Sequence, residues 1–206
     1  TAQKVIDDYI NAIGGRQKLE GVKSMSSTAT AAIQGMSLTI KSYIETPAKL
    51  CVETYLQNNL MSKQVLNGKS GKVSSPMGEQ VFDEQTVLML QEESVMFPEL
   101  QMSANGSKTE LIALEEINGE PAYKVSVVNA KGNESVLFFS AETGLKLKEV
   151  KSSAQGQAIT LVKEYAEKDG VKIPVKITQS VGPQIVDMEI NDIQINTAIA
   201  AEKFSI

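Results

Sequence analysis

Histidine is absent from this sequence of 206 residues. Its absence excludes Ser-His and Cys-His nucleophilic pairs, histidine-ligated zinc and the commonest general base at neutral pH. The phosphate-binding patterns GxxxxGK[ST] and GxGxxG are missing as well. We therefore expect a chain that is not an enzyme and that carries no cofactor and no metal.

Carboxylates are the acid and base groups that remain. Asp187, Glu189 and Asn191 alternate like the first ligands of an EF-hand, but the sixth position is Asp192 and the twelfth is Ala198, where that loop needs Gly and Glu. The solvated face of one strand explains this alternation better. An enzyme that uses carboxylates alone stays a third hypothesis, which a pair converging in a polar cleft would favour.

The chain has a single cysteine, Cys51, so it cannot form an internal disulfide. This leaves the compartment undecided between the cytosol and an envelope space. Cys51 lies in an apolar run, which favours a packed side chain over a nucleophile.

Long apolar runs and concentrated positive charge are also lacking. No stretch approaches the roughly 18 apolar residues of a membrane span, so we expect no transmembrane segment. The net charge is −5, with Lys and Arg scattered along the chain. We therefore do not expect nucleic acid as a partner.

What is present is one amphipathic helix followed by many short β segments. Val5, Ile6, Tyr9, Ile10 and Ile13 share a helical face, which predicts a helix over 2–13 that ends at the glycine pair 14–15. Strands are predicted near 25–33, 36–45, 49–57, 60–66, 110–116, 122–128, 135–140, 145–152, 158–166, 172–181 and 185–195. The fold class is α+β and mostly antiparallel β.

A further helix is predicted over about 83–93, with Asp83 as its N-cap and Phe82 positioned to pack on Val87. Apolar residues run contiguously from Val87 to Leu90 instead of forming a stripe. Such a helix is either sandwiched in a core or covers an apolar cavity that sometimes opens.

Five segments, taken in order, carry a family resemblance. They are VIDDYINAIGG (5–15), FPEL (97–100), INGEPAYKV (117–125), FFSAETGL (138–145) and the DGxxxP of 169–174. Together they resemble the outer-membrane lipoprotein carrier-like (LolA-like) domains of Gram-negative envelopes, in the version appended to predicted insulinase-type zinc proteases. The resemblance covers nearly the whole chain, 1–206, as a single domain.

The resemblance implies a curved, unclosed β-barrel or half-barrel whose apolar concave face is covered by a helical lid. Val87, Leu88 and Leu90 would belong to the lid, and strand alternation makes the lining candidates Leu38, Ile40, Tyr123, Val125 and Val127. The implied function is the non-catalytic binding of an apolar ligand, a lipid or a lipoprotein acyl chain, in the periplasm or cell envelope. The alternative is an accessory or interaction domain for protease domains in the same polypeptide. The HxxEH zinc motif of such proteases is absent here.

Overall fold

The computed structural model describes residues 1–33, 35–153 and 156–206. Its helices are α1 (Ala2–Ala12), α2 (Arg16–Glu20) and α3 (Glu84–Glu93), with 3₁₀ turns at Pro98–Gln101 and Ala201–Phe204. The strands are β1 (Ser24–Ile33), β2 (Met36–Glu45), β3 (Lys49–Leu56), β4 (Asn59–Asn67), β5 (Ser70–Ser75), β6 (Gly78–Val81), β7 (Lys108–Ile117), β8 (Glu120–Val128), β9 (Glu134–Ser140), β10 (Lys146–Ser153), β11 (Gly156–Lys168), β12 (Val171–Val181) and β13 (Gln184–Ile195).

The strands form an antiparallel meander. Their hydrogen-bonded order is β6-β5-β4-β3-β2-β1-β13-β12-β11-β10-β9-β8-β7, so β6 and β7 are the two edges of the sheet within the described residues. Consecutive strands pair where short turns join them, whereas β6 and β7 are separated by α3 and the 3₁₀ turn and do not pair. The predicted class, α+β with an unclosed and mostly antiparallel sheet and an N-terminal helix, is confirmed.

The hairpin of β5 and β6 was not predicted. Its residues are mostly polar, and β6 is exposed along its length, so the strands carry no alternation of apolar and polar residues. They form because β5 pairs with β4 through Asn67 and Ser70. Gly68 and Lys69 form the turn between β4 and β5, and β5 begins at Ser70.

The chain divides into two compact units. The first unit contains residues 1–20 and 97–188, and the second contains residues 21–96 and 189–206. The single domain over 1–206 stays a prediction.

In the first unit, α1 lies with its apolar face inward. Val5, Ile6, Tyr9 and Ile10 are buried, and the Tyr9 ring contacts the ring of Phe139 in β9 at a centroid distance of 5.2 Å. Thr1 caps the helix by accepting a hydrogen bond from the Lys4 amide. The apolar residues that repeat with the helical period are therefore the ones that α1 buries.

The turn after α1 requires glycine for a steric reason. Gly14 has a φ of +138°, and a Cβ there would lie 2.7 Å from the carbonyl oxygen of Gly170. The Lys172 amide donates to the carbonyl of Ile13 at 2.9 Å. Backbone therefore packs directly on backbone where α1 meets the turn before β12.

Candidate apolar binding face

The second unit carries an apolar sheet face centred on Leu50 of β3. Leu50 pairs with Ile44 in β2 and with Leu66 in β4, so these three side chains lie side by side on one face. We call the face of β1–β4 that carries Leu50 the lid face. Because side chains alternate along a strand, Cys51 and its partner Val65 lie on the opposite face.

α3 covers one end of the lid face. Val87 and Leu90 are buried in one cluster with Leu50 and Leu66. Ile44, Val52 and Phe82 pack against that cluster from its edge. The Asp83 side chain accepts a hydrogen bond from the Thr86 amide at 2.8 Å, and this lowers the pKa of the Asp83 carboxyl.

The attachment of α3 is one-sided. Val87 and Leu90 are its two buried residues, and Gln91 donates from Nε2 to the Gly68 carbonyl at 2.8 Å. On the outer side Leu88 is 42% exposed and Met89 is 51% exposed. The contiguous apolar run thus divides into an inner pair that contacts the sheet and an outer pair that faces solvent.

Two of the predicted lining residues, Leu38 and Ile40, lie on the lid face. They precede Ile44 in β2 at even spacing, and they pair with Leu56 and Thr54 of β3. Both are half-buried. The seven residues from Leu38 to Ile44 span roughly 20 Å at the rise of a strand. The apolar side chains of this face therefore continue beyond the part that clusters with α3, with Ser42 between Ile40 and Ile44.

The other predicted lining residues lie in the first unit. Tyr123, Val125 and Val127 share one face of β8, where Val125 and Val127 are buried and Tyr123 is half-buried. Tyr123 pairs with Phe139, the residue that contacts α1. Leu38, Ile40, Val87 and Leu90 thus lie in the second unit, where only Val87 and Leu90 belong to the buried cluster, and the three β8 residues lie in the first unit.

Tyr123 also borders a pocket of about 430 Å³ in the first unit. Its walls are α1 and the turn from Ser140 to Gly144, and both polar and apolar side chains line it. The turn is built by Ser140, whose Oγ accepts hydrogen bonds from the amides of Glu142 and Thr143 at 3.2 and 3.0 Å and donates to Glu120. This turn is part of the FFSAETGL segment, so that marker has a structural role.

A buried ion cluster explains a second marker, FPEL. Lys146 Nζ lies 2.7 Å from Glu99 Oε1 and 3.4 Å from Glu149 Oε2, and the side chain of Glu99 is 4% exposed. Burial acts against the charged form of Lys146, but the neighbouring carboxylates outweigh it and raise the pKa of the ammonium well above its usual value. The Tyr165 hydroxyl donates to the Lys146 carbonyl at 2.8 Å. Glu99 therefore ties the 3₁₀ turn to β10.

Sequence reasoning missed Leu50, Val52 and Leu66 as residues of the lid face. The available signal was the even spacing of Leu50, Val52 and Leu56 in β3. Cys51 lies between Leu50 and Val52 and is as buried as Leu50. The three residues therefore form a continuous apolar run, which does not show which of them share a face. Cys51 itself is the packed side chain that was predicted, and burial above all raises the pKa of its thiol to about 11.

Neither a membrane-spanning helix nor a metal-binding group appears in the described part of the chain. Its helices are too short and too polar to cross a bilayer. No three side chains of the types Cys, Asp and Glu converge as metal ligands among the described residues.

Three solved structures share this architecture over almost the full length of the chain. A DUF1329 family protein from Desulfovibrio piger has a TM-score of 0.69 at 10% identity, with 99% of this chain and 97% of that chain covered. A LolA superfamily protein from Nitrosomonas europaea has a TM-score of 0.66 at 12% identity, with coverages of 100% and 98%. A putative outer membrane lipoprotein-sorting protein domain from Vibrio parahaemolyticus has a TM-score of 0.65 at 10% identity, with coverages of 99% and 97%.

These likenesses establish the fold as one that LolA superfamily proteins adopt. At identities of 10 to 12% they establish nothing finer. No protein-family model matches the sequence, and the search of curated proteins found no significant match.

Proposed function

We propose that this chain is a non-catalytic binding domain of the periplasm or cell envelope that holds an apolar ligand, a lipid or a lipoprotein acyl chain, on the lid face. The observation that carries the proposal is an apolar sheet face that α3 covers at one end through two buried side chains. Leu38 and Ile40 continue the face beyond the cluster of Leu50 and Leu66, and α3 covers that cluster through two side chains.

The energetics of an acyl chain suit such a face. Each buried CH₂ contributes about 0.8 kcal/mol. Burying a few methylene groups of a ligand would therefore contribute about as much free energy as burying the side chains of Val87 and Leu90. A ligand that displaces α3 would therefore replace one apolar contact by another. The solved structures with this fold include a lipoprotein-sorting domain and a LolA superfamily protein, which supports the same class of ligand.

A pair of neighbouring substitutions tests the proposal. Ile40→Asn places an amide on the lid face, whereas Thr39→Asn places the same group on the opposite face, because adjacent residues of a strand point to opposite sides. We expect Ile40→Asn to weaken the binding of a fluorescent fatty acid by about tenfold or more and Thr39→Asn to leave it unchanged. Thermal melts of both variants control for loss of folding.

Native mass spectrometry of the protein purified from a bacterial envelope fraction gives the second readout. We expect a bound species with the mass of a lipid that organic solvent extracts. Equal probe binding by the two variants, or repeated purification without lipid and without probe binding, would contradict the proposal.

The accessory role beside the domains of an insulinase-type zinc protease stays a prediction. The apolar side chains that would favour a protein contact are Leu88 and Met89 on the outer side of α3 and the nearby Val81, which is 72% exposed. Leu88→Ser combined with Met89→Ser separates the two functions. It should abolish a protein contact made by the outer side of α3 and leave fatty acid binding intact.

A further inference from the structure

The face of the second unit opposite the lid face is covered by the chain's own segment Thr197–Phe204, which we call the strap. Phe204 is 3% exposed and is buried in a cluster with Cys51 and Val65. Tyr43 and Ile199 pack against the same cluster. Asn67 donates from Nδ2 to the Phe204 carbonyl at 3.1 Å. The ring of Phe204, from the same chain, thus fills an apolar pocket, and its backbone carbonyl makes one polar contact there.

Beside that pocket lies an acidic and aromatic site for the preceding residue. Lys203 Nζ donates to both oxygens of Glu53, at 2.8 and 2.9 Å, and lies 4.5 Å from the centroid of the Tyr43 ring. The Tyr55 hydroxyl donates to Glu53 at 3.0 Å. Burial of Glu53 disfavours its charge, but the hydrogen bonds from Lys203 and Tyr55 outweigh it and lower the pKa of the carboxyl. Glu53 is 5% exposed, so the site needs a cation.

The strap is tied to the unit at its beginning by a different set of contacts. The side chain of Asn196 accepts from the Lys23 amide at 2.7 Å and donates to the Gly21 carbonyl at 3.0 Å. Ser24 Oγ donates to the Thr197 carbonyl at 3.1 Å. Between this tether and Lys203 the described residues contain no strand, so the strap does not extend the sheet ladder. It can leave the face without breaking a strand pair.

We propose that this face is a recognition site for a peptide segment in which a lysine directly precedes a phenylalanine, and that Lys203 and Phe204 occupy it in cis. The specificity comes from Glu53 with the Tyr43 ring for the cation and from Cys51 with Val65 for the aromatic ring. A partner segment of this chemistry would exchange with the strap, in the manner of peptide recognition by side-chain pockets. This site lies on the other side of the strands from the lid face, so it does not depend on the proposed lipid ligand.

Cys51 is the single cysteine and lies beneath Phe204, which makes its thiol a reporter for the occupied site. The experiment compares the rate of maleimide labelling at Cys51 in the wild-type chain and in the same chain carrying Lys203→Ala and Phe204→Ala. We expect labelling at least about tenfold faster in the variant, because local opening no longer has to break the packed contact. Glu202→Ala, an exposed position in the strap, is the matched control and should label like the wild type.

A synthetic peptide with the sequence of residues 197–206 is then added in trans. It should restore slow labelling of the double variant, and a control peptide with alanine at both positions should not. Should the double variant fail to fold, as judged by circular dichroism, Phe204→Leu replaces it, since leucine keeps an apolar side chain in the pocket but leaves part of the ring's space empty, so that labelling should still be faster than in the wild type. Labelling of the folded variant at the wild-type rate, or equal protection by both peptides, would overturn the proposal.

Discussion

Replacing Leu90 by alanine tests whether α3 opens independently of the sheet beneath it. Leu90 is 1% exposed and packs with Leu50, Leu66 and Val87. In a rigid core this truncation lowers the free energy of unfolding by about 2 to 5 kcal/mol. The cost is that high only when the surrounding structure stays in place around the cavity.

The attachment of α3 leads us to expect a smaller loss. Val87 and Leu90 contribute about 1.5 to 3 kcal/mol each by burial, and the conformational entropy lost in ordering the helix cancels much of that gain. Once α3 is open in the variant, Leu90 has no further contact to lose. The free energy of unfolding can therefore fall by no more than the free energy needed to open α3 in the wild type. We expect that opening free energy to be below about 2 kcal/mol.

Urea denaturation followed by far-ultraviolet circular dichroism measures the global loss, and amide hydrogen exchange of residues 84–93 measures opening of the helix. Leu88→Ala is the matched control, because Leu88 is 42% exposed in the same helix. It should change the free energy of unfolding by less than about 0.5 kcal/mol. A loss of about 2 to 5 kcal/mol in Leu90→Ala, with α3 amides exchanging no faster than those of β3, would refute a detachable α3.

Two further predictions concern the first unit. Gly14→Ala should lower the free energy of unfolding by about 3 kcal/mol or more, against about 1 kcal/mol for Gly15→Ala, because an added Cβ meets the Gly170 carbonyl at 2.7 Å at position 14 and open space at position 15. Equal melting temperatures of the two variants would show that the Gly170 backbone can move away from an added Cβ at little cost in free energy, which would contradict this prediction. Burial of Glu149 acts against its charge, but Lys146 and then Lys151 outweigh it and lower the pKa of the carboxyl. Its stabilising contribution is therefore complete above the ordinary pKa of 4.5 and is lost as the pH falls below that value. Glu149→Gln should show a smaller drop in urea midpoint between about pH 5 and about pH 3 than the wild type, and parallel curves would contradict this assignment.

The strand pattern of this protein could be predicted because its signal is local. Residues such as Val125 and Val127 alternate with polar neighbours such as Ser126, and glycine turns separate the segments, so periodicity and turn chemistry place most strands. The hairpin of β5 and β6 carries no such signal, since its residues are mostly polar, and it is held by pairing with β4 and by cross-strand contacts such as that of Lys72 with Glu79. α1 was predictable for the same reason as the strands, because its apolar face repeats with the helical period.

The sequence by itself thus determined an antiparallel, α+β chain without histidine chemistry, together with a helix near 84–93 that is too apolar for an ordinary surface helix. Only the tertiary structure decided which side chains of that helix contact the sheet. It also placed Leu38 and Ile40 on the face that carries Leu50, and it placed Lys203 against Glu53, 150 residues away in sequence. The physical reason is that periodicity acts over a few residues, whereas the partner of a buried face or charge is chosen by strand register and packing across the whole unit.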